Sequence, residues 1–173
     1  MEEKSMESAD RHGFAEAIIT AVSVGAVLVL IGIVFVINTN LWGRIVDFFN
    51  NFNTIQVAKT TVYLPAPKAP ATHKELYTAV AQFTLGVGIL QILILALRLS
   101  LGSRIRRTAK TIGSLVFWFG ASYLTSTILV NMKTSLSLPQ QQQNWFTFWA
   151  AIITLVGFSL IVRAVVLFTA RRS

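Results

Sequence analysis

No cysteine occurs in this chain, so disulfide staples, thiolate metal sites and a cysteine nucleophile are excluded, and the redox state of its compartment cannot be read from it. Charge is scarce too: 13% of residues are Asp, Glu, Lys or Arg, where a soluble domain carries about 25%. Acids are the scarcer sign, 7 against 15 Lys and Arg. The long apolar runs contain no Asp, His or Lys, and Glu16 is their only carboxylate, placed at an edge. No His-Glu-x-x-His, paired-carboxylate motif, glycine-rich phosphate loop or serine with a base beside it is present. Catalysis at membrane depth lacks its acids, bases and ligands, so no enzyme, cofactor or metal centre is expected. Proton-coupled transport, which uses buried Asp, Glu or His, is disfavoured on the same ground. His73, beside Lys74 and Glu75, has no second ligand nearby and is a weak metal candidate.

What the chain has is hydrophobic length. Of 173 residues 54% are hydrophobic, with mean hydropathy +0.63. The segment from Leu76 to Leu97 runs 22 residues without a formal charge and ends in Arg98, Arg104, Arg106, Arg107 and Lys110. At about 1.5 Å per residue it spans roughly 30 Å, the hydrocarbon thickness of a bilayer. Three further runs read the same way. The expected fold is an all-α membrane protein with four transmembrane helices at 14–37, 76–100, 111–131 and 145–170, in one domain. A short polar tail at 1–13 precedes the first, a basic loop at 103–110 joins the second and third, and an outer loop at 132–144 joins the third and fourth. The glutamine run Gln140–Gln143 reads as a polar turn.

The segment at 41–52 is too short and too mixed to span. On a helical wheel Leu41, Trp42, Ile45, Val46, Phe48, Phe49 and Phe52 fill one arc of about 160°, opposite Gly43, Arg44, Asp47, Asn50 and Asn51. Asn38, Thr39 and Asn40 supply capping residues ahead of it. Such a helix either lies in the headgroup region against lipid or docks its aromatic face on the helix ends or a neighbouring subunit. The outer loop at 53–75 combines a β-branched stretch at 54–63, read as a short strand, with Pro65, Pro67 and Pro70, read as stiff polyproline-like extension without helix. Trp42, Tyr77, Trp145 and Trp149 are expected at one headgroup level.

Lys and Arg orient the chain. Ten lie on the side of both termini and the 103–110 loop, and five lie on the other. The positive-inside rule then puts both termini in the cytoplasm of a cell-membrane protein and the 38–74 segment outside. The basic residues flank apolar runs, so nucleic acid is not an expected partner; the bilayer is. Arg98 precedes Arg106 and Arg107 by the same spacings as Arg163 precedes Arg171 and Arg172, an echo that positive-inside pressure produces without a true repeat.

The remaining candidate positions are neutral polar ones. Thr84, Gly88, Gln91 and Arg98 share a face of the second span, and Ser114, Ala121, Ser122, Thr125 and Ser126 a face of the third. These faces, with Arg163, serve either as hydrogen-bonding glue between helices or as the lining of a hydrated path. Ala17, Ala21 and Gly25 repeat every four residues on the first span, a flat stripe suited to an intramolecular packing face or to a homodimer seam. The chain is therefore expected to be a structural or accessory subunit that self-associates or joins another membrane protein; the second class is a small oligomeric channel lined by the two polar faces. The four-span layout with a longer first outer loop broadly resembles claudin- or connexin-type proteins, but the loop cysteines diagnostic of those families are missing here.

Overall fold

In the computed structural model the described residues are 2–57, 60–100 and 105–170, with side chains from residue 17 onward. Five α-helices carry the fold: α1 (Glu2–Ile37), α2 (Leu41–Asn50), α3 (Lys74–Ser100), α4 (Ile105–Leu124) and α5 (Leu138–Thr169). Four stretches, Ala17–Ile37, Pro70–Ser100, Ile105–Val130 and Leu138–Thr169, are long and apolar enough to cross a membrane. Among the described residues two short strands, β1 (Phe52–Gln56) and β2 (Tyr63–Pro67), a 3₁₀ turn and a π-helical turn complete the regular structure. The chain is mostly helical and multi-pass, as the apolar runs predict.

Three helix ends differ from expectation for one shared reason. Hydropathy marks where a helix leaves the bilayer, whereas helix ends are decided by local backbone hydrogen bonds and caps. α1 is thus helical from Glu2 onward, which includes the expected tail at 2–13. α4 is helical from Ile105 onward, so Arg106, Arg107 and Lys110 lie on the helix and not in a loop. α5 starts at Leu138, with Ser137 as N-cap and Gln140 returning its side chain to the Ser137 N–H, 3.1 Å, in a capping box. Gln140–Gln143 is therefore helical. At its far end α4 continues into a π-helical turn, Thr125–Val130, that carries Leu129 into a buried cluster.

The helices pack in chain order, α1 on α3, α3 on α4, α4 on α5. Glycines set these approaches by leaving room for a neighbour's side chain. An added Cβ at Gly86 would meet Leu30 of α1 at 2.5 Å, one at Gly88 would meet Phe119 of α4 at 3.1 Å, and one at Gly120 would meet Leu155 of α5 at 2.5 Å. At the two ends of this row α1 and α5 expose apolar side chains broadly. None of the most apolar stretch of α5 is buried, and little of that of α1.

One end of the bundle is capped. β1 and β2 pair antiparallel from Phe52 opposite Pro67 to Gln56 opposite Tyr63. The expected single strand at 54–63 is thus two strands, and Pro65 and Pro67 are tolerated because neither strand has a second neighbour among the described residues. Pro70, expected to forbid helix, opens a 3₁₀ turn, Pro70–His73, where the missing N–H costs nothing. Asn51 locks the hairpin to α2, accepting from Lys68 N–H on its carbonyl (2.9 Å) and from Ala69 N–H on Oδ1 (3.1 Å).

Candidate functional site

The cap is built around aromatic rings. Phe48 of α2 lies 4.9 Å from Phe52, 5.2 Å from His73, 5.9 Å from Trp145 and 6.1 Å from Tyr77, ring centre to ring centre, mostly edge to face. Tyr77, Trp145 and Phe148 are buried there with Ala66, Ala71, Leu129 and Met132. Tyr77 and Trp145 are thus core residues of the cap, while Trp42 and Trp149 are exposed. The burial has a cost: Tyr77 Oη and His73 Nε2 are enclosed without a hydrogen-bond partner among the described residues.

α2 answers the choice between lipid and docking by dividing its apolar arc. Leu41, Ile45 and Phe48 fall four and three residues apart and turn inward, and Phe52, now the first residue of β1 and no longer helical, continues the line. Leu41 is buried against Val34 and Ala79 with Ile45 beside it. Trp42 and Phe49 form the second stripe with Val46 and remain 68%, 68% and 43% exposed. Docking takes one stripe and leaves the other outward. Arg44 pairs with Glu75 at the start of α3, holding α2 across the helix ends. Asn40 contributes backbone shape and not a side-chain cap: its φ of 56° is left-handed, a conformation asparagine tolerates.

Gln141, which the sequence reading passed over, joins the halves of the cap. It is buried, accepts from Ala71 N–H at 3.1 Å and donates to Leu136 C=O at 2.9 Å. The Ser137-x-x-Gln140 pattern with Pro139 at the first turn was the available signal that this glutamine is helical and points to one side.

The polar faces of α3 and α4 meet as seam. Ser122 donates across it to Ala81 C=O at 3.1 Å, and Thr84 bonds within α3 to the carbonyls of Val80 (2.9 Å) and Ala81 (3.0 Å). Thr125 donates to Ala121 C=O at 2.7 Å and is buried; Ser126 is half-buried. Asn38, just past α1, donates to Gln82 of α3 at 2.8 Å. Gln91 is half-buried further along α3, and Arg98 buries its Nε without a partner among the described residues. Arg163 lies on α5, away from α3, in hollows between α4 and α5. The two arginines therefore do not share one site.

The stripe on α1 is open. Ala17, Ala21 and Gly25 are exposed, and a Cβ at Gly25 or Gly32 would meet nothing within 4 Å. Among the described residues it is not a packing face within this chain. No group of three or more potential metal ligands occurs among the described residues.

These features define a polytopic α-helical membrane protein with a folded cap at one end and a basic opposite end. No family model, curated protein or solved structure matches the chain.

Proposed function

We propose that this chain is a structural, complex-forming subunit of a membrane assembly, without catalytic chemistry, that associates with itself or another membrane protein through the open face of α1. The observation that carries the reading is the exposed Ala17–Ala21–Gly25 stripe with Gly32 beyond it, at an end of the helix row. Lipid gives helices no hydrophobic reason to pair, so association depends on close backbone contact across such small residues. The hydroxyls of Thr84, Ser122 and Thr125 support the same reading: Ser122 ties α4 to α3, and Thr84 and Thr125 bond to carbonyls of their own helices, which leaves little to line a path. The basic end is assigned to the cytoplasm of the cell membrane from its Lys and Arg excess, with the cap outside. An impermeant thiol reagent on intact cells then labels Lys133→Cys and spares Lys110→Cys; the reverse pattern inverts the topology.

The channel reading rests on the lower part of α3, where Gln91 is half-buried and Arg98 Nε has no partner among the described residues. Liposome reconstitution separates the two. Ion flux altered by Gln91→Leu or Arg98→Ala overturns the structural reading. Electrical silence with co-purification at fixed stoichiometry overturns the pore.

A further inference from the structure

We propose that the hollows between α4 and α5 at the basic end bind the phosphate-bearing headgroup of an acidic phospholipid. Arg106 and Lys110 stand one turn apart on α4, on the face that meets Arg163 of α5. Arg163 borders two adjoining hollows. The deeper, of about 290 Å³, is walled by Lys110, Ser114 and Phe117 from α4 and by Ser159 and Leu160 from α5. The other, of about 570 Å³, lies nearer the helix ends, with Arg106 and Leu167 in its wall. Among the described residues no carboxylate lines either hollow.

Like charges one turn apart destabilise a helix, and a third cation from the facing helix adds to the repulsion. A bound anion reverses the sign of all three interactions. The walls say what kind of anion: cations on the headgroup side of Phe117, Val156 and Leu160 suit an amphiphile whose phosphate sits among the cations and whose chain follows the apolar groove. Inorganic phosphate makes no use of that groove. The depth fits as well, since Arg163 lies six residues before the last residue of α5, about 9 Å along the axis, in reach of the headgroup layer. Gly113 shapes the site by letting the helices meet: a Cβ there would stand 3.1 Å from the Ser159 carbonyl oxygen. This site stands independently of the α1 seam.

The test is native mass spectrometry of the full-length protein in mild detergent with phosphatidylglycerol or phosphatidylcholine of the same chains. Each cation contributes a factor of roughly five toward an anionic headgroup. Phosphatidylglycerol is expected to be retained at least tenfold over phosphatidylcholine. Lys110→Gln, an exposed change that leaves the seam intact, lowers retention roughly fivefold, and the triple Arg106→Gln, Lys110→Gln, Arg163→Gln change lowers it about a hundredfold. Arg163→Lys keeps most of the preference, and Lys68→Gln with Lys133→Gln at the cap changes nothing. Equal retention of the two lipids, or an unchanged preference in Lys110→Gln, overturns the site. Millimolar inorganic phosphate displacing phosphatidylglycerol overturns the lipid assignment in favour of a soluble anion.

Discussion

Phe48 and Phe49 are adjacent, chemically identical and placed oppositely by the fold, which makes them a controlled pair. Phe48 touches the rings of Phe52, His73, Tyr77 and Trp145, within 4.9 to 6.1 Å. Truncating a core phenylalanine to alanine costs about 3–5 kcal/mol from lost transfer energy and the cavity left behind. Phe48 is half-buried, so the low end, about 3 kcal/mol, applies. For a chain of this size each kcal/mol moves Tm by about 2–4 °C, giving a fall of roughly 6–12 °C. Phe49 is 68% exposed, and among the described aromatic rings it meets Phe48 and Phe52. Its truncation should cost under about 1 kcal/mol of fold stability. The assay is thermal unfolding of both alanine variants in one detergent, followed by intrinsic fluorescence and near-UV circular dichroism. Equal shifts in Tm would refute the docked geometry of α2. Replacing the detergent by a bilayer completes the contrast: Phe49→Asp should lose the cap's contact with lipid while leaving Tm in detergent near wild type.

Other consequences follow from the same contacts. Gln141→Leu should destabilise by about 1–3 kcal/mol, because the Ala71 N–H is left buried without its acceptor, while the exposed Gln143→Leu stays within about 0.5 kcal/mol; chemical denaturation in detergent compares them. Gly113→Val should force α4 and α5 apart at Ser159 and cost about 1–3 kcal/mol, read as a lower Tm. Ser122→Ala removes one inter-helical hydrogen bond and should cost about 1 kcal/mol, visible as faster hydrogen exchange around Ala81. Because the chain has no cysteine, Gly25→Cys gives a single reporter on the open face of α1. It should form a crosslinked dimer under oxidation in membranes if this face is a self-association seam, while Lys133→Cys at the cap should remain uncrosslinked.

The spans were legible because the bilayer imposes length and polarity on each helix separately, and residues such as Leu76 to Leu97 carry that requirement in one uninterrupted run. Helix extents were not, since the polar stretches 2–13, 105–110 and 138–144 are helical although hydropathy discounts them. The amphipathic arc of α2 was readable, but dividing it between Phe48 and Phe49 requires knowing where Tyr77 and Trp145 stand, a tertiary fact. The aromatic residues Tyr77 and Trp145 looked like interface markers by type; in the cap they are covered by Phe48, Phe52 and Ala66. Gln141 shows the reverse failure, where a local capping signal was present in Ser137 and Gln140 and the glutamine-rich composition obscured it. The polar faces of α3 and α4 were found as faces, and their use as seam became visible only with the Ser122 to Ala81 bond across it.

The claim that this chain works as a subunit is tested most directly by the mass of the particle that mild detergent releases from native membranes. A single chain is 19.1 kDa. The account predicts a defined multiple of that mass, or a complex with another membrane protein at fixed stoichiometry, that Gly25→Leu shifts to the single chain. A wild-type particle of one chain, unchanged by Gly25→Leu, would contradict it.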